Sequence, residues 1–233
     1  MKTLYLNLIY IEIKSEYKIT MSEPLCSSAR FHYFPPLEEN DSECYELYCD
    51  ERVMLPFIPQ LYKMDPVAFQ ERRNEHRLKF LKQSCFLDII SRGTGEFVGT
   101  CGFREFRMLE IGCENENYSS RQKAIDANNE NLRMGEFGVN ICYQYQRKGI
   151  CTEAFIQMLR LAKNRLNCTE IEGVTMSGNT PMRNFFEKFE LPIVKTVFID
   201  KSGCRHEKRV HANDVEHTVY QSSISKILSK HDI

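Results

Sequence analysis

In GEFGVNICYQYQRKGICTEAF, residues 135–155, an alternating stretch turns into a basic loop and then into a helical repeat. Phe137, Val139 and Ile141 alternate with Glu136, Gly138 and Asn140, the period of a strand half buried on one face. Gln146-Arg147-Lys148-Gly149-Ile150-Cys151 follows as a loop. From Thr152 to Leu166 the apolar set Phe155, Met158, Leu159, Ala162 and Leu166 recurs at helical spacing. A helix start offers unpaired N–H groups and about half a positive charge, the physical recipe for holding a phosphate or pyrophosphate. Gly149 lets the backbone approach such an anion, and Arg147 and Lys148 add charge. An ordinary strand-to-helix turn with two solvated basic residues has the same local sequence, so the loop alone leaves both readings open.

Working outward, 170–176 reads as a strand. Asn179-Thr180-Pro181 then opens a short helix with Met182, Phe185, Phe186 and Phe189 on one face. Val194–Ile199 and Val215–Tyr220 read as strands joined by a charged turn. Upstream, 31–34 is a first short strand. A helix capped by Asp41 or Ser42 carries Cys44, Leu47, Tyr48 and Leu55 before Pro56. A second, with Asp65 at the N-cap and Pro66 behind it, runs to about Gln83 with a thin apolar face of Phe69, Leu78, Phe80 and Leu81. Cys85–Ile90 and Gly95–Phe106 form a hairpin around the turn Arg92–Gly95. Residues 108–134, polar and without period, read as a long exposed connection.

Composition bounds the rest. The chain has 233 residues, 42% hydrophobic and 27% charged, enough for one sizeable core. Its 31 basic and 32 acidic side chains leave a net charge of −1, which argues against nucleic acid or a membrane surface as partner. Ten cysteines without a C-x-x-C pair read as reduced thiols of a cytoplasmic protein. The opening MKTLYLNLIYIEIK is broken by Asn7 and Glu12 and falls short of the roughly 20 apolar residues that span a bilayer. The expectation is a poorly packed extension over 1–29, with Met21 as an alternative start, a domain over 30–223 and a tail over 224–233. His206, His211 and His217 lie close in sequence, but Arg205, Lys208 and Arg209 beside them would repel a cation, so no metal is expected.

The run at 135–155 resembles motif A of the GNAT N-acetyltransferase superfamily, whose pyrophosphate loop reads Gln/Arg-x-x-Gly-x-Gly/Ala. Gln146, Gly149 and Cys151 stand at the first, fourth and sixth positions. NTPMRNFFEKFEL, 179–191, resembles motif B, matching at Asn179, Glu187 and Lys188, with Glu190-Leu191 in place of Gly-Phe. Thr152-Glu153-Ala154 is similar to the ribosomal-protein N-acetyltransferase-like branch. The order of elements agrees from about Phe31 to Gln221.

The resemblance implies an α/β (α+β) GNAT-like single domain. Its curved, mixed, largely antiparallel sheet would have six to seven strands, flanked by about four helices, with the central strands splayed. It implies acetyl-CoA as co-substrate, its pyrophosphate on the N–H groups of Arg147, Lys148, Gly149, Ile150, Cys151 and Thr152. The pantetheine arm would lie between 138–142 and 171–176, touching Asn140, Ile141 and Cys142, with Asn179 close by. The acceptor would be a primary amine, on a protein N-terminus or a small molecule. Glu136 would take the ammonium proton, and N–H groups near Asn140 and Ile141 would polarise the carbonyl.

The motif-B tyrosine that serves as acid in relatives is Phe186 here, which cannot donate a proton. A thiol of pKa about 8.5 can leave without one; Tyr143 and Tyr145 are substitutes, though packing residues on their position. Cys151 is small enough to stand in for Gly/Ala in the loop; a thiol pKa lowered by the helix start is the lesser reading, and Cys142 a weaker case. A protein that keeps this fold and binds acyl-CoA without turnover is the competing reading. A domain binding another nucleotide is a remoter one, with no Walker or G-x-G-x-x-G pattern to support it.

Overall fold

The computed structural model describes residues 23–108, 133–200, 204–211 and 213–231. Its strands are β1 (Cys26–Ser27), β2 (Phe31–Phe34), β3 (Cys85–Ser91), β4 (Phe97–Met108), β5 (Arg133–Ile141), β6 (Cys168–Met176), β7 (Ile193–Ile199), β8 (Arg205–His206) and β9 (Val215–Ser223). The helices are α1 (Asp41–Cys49), α2 (Glu51–Met54), α3 (Pro66–Lys79), α4 (Ile150–Arg165), α5 (Thr180–Lys188) and α6 (Ile224–Lys230). All nine strands join one sheet in the order β1-β2-β3-β4-β5-β6-β9-β7-β8. Only β5 and β6 pair in parallel, through the crossover helix α4. The sheet is mixed and largely antiparallel as expected, but it has nine strands rather than six or seven. The additions are β1 and β8, two-residue edge pieces too short to show a period.

The main core lies between the sheet and α4, α5 and α6. Phe155, Met158, Leu159 and Ala162 of α4 are completely buried there against Leu87, Ile89, Val98 and Phe103. Residues 224–230, left outside the domain as a tail by the sequence reading, form α6 and bury Ile224, Ile227 and Leu228 in this core. Within the expected N-terminal extension, Leu25 packs on the core and Cys26–Ser27 pairs with β2; residues 1–22 lie outside the described residues.

Among the described residues the helices on the opposite face, α1, α2 and α3, cover its first half around Cys44, Leu47, Tyr48, Val53, Met54 and Phe69. The single helix expected to reach Leu55 is two. Asp50 is extended (ψ 108°) and its carboxylate accepts the Arg52 N–H, ending one helix and capping the next. Leu55 is exposed as a result. α3 stops at Lys79, short of Gln83, and Leu78 points to solvent. Its N-cap is as expected, Asp65 accepting from Val67 and Ala68. The expected connection over 108–134 falls almost wholly outside the described residues; Met108 ends β4, and Arg133 and Met134 already belong to β5.

Candidate acyl-CoA site

The β5–β6 ladder runs from Arg133↔Cys168 to Phe137↔Gly173 and stops there. Beyond it β5 continues to Ile141 paired only with β4, and β6 continues to Met176 paired only with β9. The two strands therefore open into a wedge. Cys142 N–H bonds the Val98 carbonyl, and alternation along a strand turns the Ile141 N–H the other way, into the wedge. The Ile141 carbonyl on that same side accepts from Gln146 Nε2 at 3.0 Å, which pins the loop to the end of β5.

In the loop, Arg147 and Gly149 take left-handed φ of 58° and 75°. Gly149 occupies the N-cap of α4 and has no side chain to satisfy the first turn. The Glu153 N–H reaches back to the Gly149 carbonyl, and the N–H groups of 147–152 have no backbone acceptor among the described residues. They form an unfilled donor set at the positive end of α4, a helix of 16 residues. The loop is braced from a distance by Arg30. Its Nε pairs with Glu153 at 2.7 Å, its backbone N–H donates to the same carboxylate, and its Nη1 donates to the Lys148 carbonyl at 3.1 Å. On this side of the loop an open cleft of about 680 Å3 is walled by Arg30, Arg92 and Lys148 over Phe31, Val98 and Tyr145.

Glu136 and Glu172 sit side by side in the parallel register, one pair before the wedge opens. Glu136, expected on the solvent side of its strand, is 2% exposed. Its Oε1 accepts from Arg104 Nη1 at 3.2 Å and its Oε2 from Arg205 Nη2 at 2.5 Å. Glu172 accepts from Arg107 Nη2 and, at 3.0 Å, from Arg205 Nη1. This cluster was not read from the sequence. The charged alternation of Glu170 and Glu172 in a strand was its one visible signal, and the arginines come from β4 and β8.

Asn179 caps α5, its Oδ1 accepting the Met182 N–H at 3.2 Å. Phe186 is buried with its ring over Gly173, where a Cβ would stand 2.3 Å from the ring. Tyr145 donates its hydroxyl to Glu96 and Tyr143 lies under the Arg52 guanidinium, so both are engaged away from Phe186. The lowered thiol pKa offered as the lesser reading for the two cysteines is not what the structure gives. Burial pushes the Cys151 thiol up to about 12 and the Cys142 thiol up to about 11, because desolvation of the thiolate outweighs the helix end. Among the described residues no three His, Cys, Asp or Glu side chains converge as metal ligands. His206 pairs with Asp200, and His217 Nδ1 lies 2.9 Å from the Val215 carbonyl. No helix among them is long and apolar enough to cross a membrane.

Several solved structures share this fold. The acetyltransferase (GNAT family) from Bacillus anthracis is 16% identical with a TM-score of 0.57, over 85% of this chain and 98% of its own. RimL, a ribosomal L7/L12 alpha-N-protein acetyltransferase in complex with coenzyme A, is 10% identical with a TM-score of 0.60, over 86% and 98%. Spermidine N-acetyltransferase from Vibrio cholerae, in complex with CoA and spermine, is 12% identical with a TM-score of 0.59, over 86% and 99%. At these identities the likeness is one of fold. None of the curated proteins matches the sequence. The family profile described as an acetyltransferase (GNAT) domain matches residues 33–191, the span that holds the loop, the wedge and both motifs, and the chain belongs to the GNAT acetyltransferase family.

Proposed function

We propose that the protein transfers the acetyl group of acetyl-CoA directly to a primary amine. The observation that carries this reading is the wedge between β5 and β6 ending at a helix start whose N–H groups have no backbone acceptor among the described residues. The pyrophosphate binds the N–H groups of 147–152, and Arg147 and Lys148 add charge. The pantetheine arm runs beside Asn140, Ile141 and Cys142, with the Ile141 N–H available to it or to the thioester oxygen. Asn179 helps through the cap that fixes α5 beside the wedge. The acceptor arrives as an ammonium on the face that carries Glu136, passes one proton to Glu136, and its nitrogen attacks the thioester carbon. The C–S bond breaks and CoA leaves as thiolate, which takes up the second proton shed by the attacking nitrogen as the amide forms, with Phe186 contributing packing and no proton. The fold agrees with this chemistry, and relatives in the family act on acceptors as different as a ribosomal protein and spermidine.

A protein that binds acetyl-CoA without turnover draws support from Phe186 and from the arginines on both oxygens of Glu136. One experiment separates the two. Acetyl-CoA and CoA, but not NADH or ATP, should raise the melting temperature by mass action, and Gly149→Trp should abolish the shift by filling the loop. Release of CoA thiol across a panel of amines and peptides then establishes the transferase. Stabilisation without thiol release establishes the binder, and no stabilisation by either CoA species removes both.

A further inference from the structure

Arg205 lies on β8, which follows β9 and β7 outward from β6. In a flat sheet three strand spacings would set it about 14 Å from Glu172, beyond the reach of an arginine side chain. It nevertheless bridges Glu172 at 3.0 Å and Glu136 at 2.5 Å, so β8 curls over the part of the face that no described helix covers. β7 is fixed to β9 by six residue pairs, whereas β8 is held to β7 by two, Phe198↔His206 and Ile199↔Arg205.

The cluster does not need this cation for each carboxylate to have a partner. Glu136 has Arg104 and Glu172 has Arg107, both from β4, a long strand paired along both edges. Arg107 also faces Glu105 at 3.0 Å, which brings the local charge close to balance. Three guanidiniums thus meet three carboxylates, and the place Arg205 fills is a cation site with a buried carboxylate on either side that is left net negative when Arg205 departs.

We propose that Arg205 occupies the acceptor's position: the acceptor's reacting ammonium enters between Glu136 and Glu172 as the edge strand β8 carries Arg205 out. This inference rests on the acetyltransferase reading for calling the entering cation an acceptor. Glu172 pairs with the entering ammonium and holds it in place until Glu136 accepts the proton. The site selects primary amines on neutral or cationic chains. It disfavours amines with an adjacent carboxylate or phosphate, which would face two buried anions once Arg205 has left. Arg205 lowers acceptor affinity by the fraction of time it spends in the site.

The test is calorimetric titration of the diamine putrescine, and separately of glycine, into CoA-saturated wild type, Arg205→Gln, Arg205→Lys and Glu172→Gln. Arg205→Gln should bind putrescine about tenfold more tightly than wild type. Arg205→Lys, whose single ammonium cannot bridge two carboxylates as a planar fork does, should fall between them. Glu172→Gln should weaken putrescine by about tenfold, one charged hydrogen-bond partner being lost. Glycine should bind weakly throughout. Retention of the acetyl-CoA thermal shift verifies folding of each variant, and if Arg205→Gln fails it the lysine variant carries the test alone. Unchanged or weaker putrescine binding on removal of the Arg205 guanidinium overturns the proposal, as does tighter binding of glycine than of putrescine to wild type. Putrescine binding in the expected order without thiol release would remove the transferase reading and leave the cation site standing.

Discussion

Gly173 and Phe186 interlock at the point where β5 and β6 part. A Cβ at residue 173 would meet three ring atoms within 2.8 Å, and the ring has no room to move because Phe186 is buried against Phe185 and Tyr220. Gly173→Ala should therefore cost about 1–3 kcal/mol in urea denaturation. Adding Phe186→Leu should recover part of that loss, as coupled neighbours do. For Glu136, the proposed base, Glu136→Gln should lower kcat/KM by about 10²–10⁴ while leaving the acetyl-CoA thermal shift intact. An unchanged rate would move the proton to another group. At this scale the loop positions were legible, because a glycine and two basic residues before a helix carry their physics locally. The Glu136–Glu172 cluster was not. Its arginines are 32, 65 and 69 residues away in sequence from the carboxylates they bind, and only the parallel register sets the carboxylates together.

Helix α3 is anchored to the sheet by a charge rather than by its thin apolar face. Arg73, 3% exposed, donates to both oxygens of the fully buried Asp88 on β3, to Asp41 on α1 and to the Leu37 carbonyl. Arg73→Ala would leave a carboxylate buried without its counter-ion and should cost about 3–5 kcal/mol, read as a drop in urea midpoint. A double change of Arg73→Met with Asp88→Leu should be much milder, since the penalty belongs to the unpaired charge. Elements with a clean period were legible from sequence, α4 above all, as were those with a chemical start signal such as Asp65-Pro66 and Asn179-Thr180-Pro181. The break at Asp50 was missed because the residues on either side keep helical spacing. β8 was missed because two residues have no period, and α6 because Ile224, Ile227 and Leu228 make a single short turn of pattern.

The molecule as a whole should lose stability in acid through these same anchors. For Asp41, burial alone would raise the pKa, but hydrogen bonds from Arg77 and Arg73 more than offset it and hold the carboxyl below its usual value. Glu153 is also held low, with hydrogen bonds from Ser28 and Arg30 outweighing its burial. A depressed folded-state pKa adds stability that is complete above the unfolded value, near about 4, and disappears as pH falls through the folded value. The urea midpoint should decline between about pH 5 and pH 2, and Asp41→Asn should flatten part of that decline while lowering the plateau at neutral pH. The family and the order of elements were legible at this scale from two motifs in sequence. The curl that brings β8 over the face was not, because it depends on the summed twist of nine strands.

Arg30 has a mechanical consequence. It sits in the turn between β1 and β2, and its side chain is tied to Glu153 and to the Lys148 carbonyl. Tension applied at residue 23 would peel β1 from β2 one hydrogen bond at a time, and the load would next fall on Arg30, ahead of the long central strands. A molecule tethered by its N-terminal end would thus feel force at the turn leading into α4, and the grip of that turn on a bound anion would weaken as the tether tightened. The same molecule held by its C-terminal end would be pulled first at α6, away from that turn.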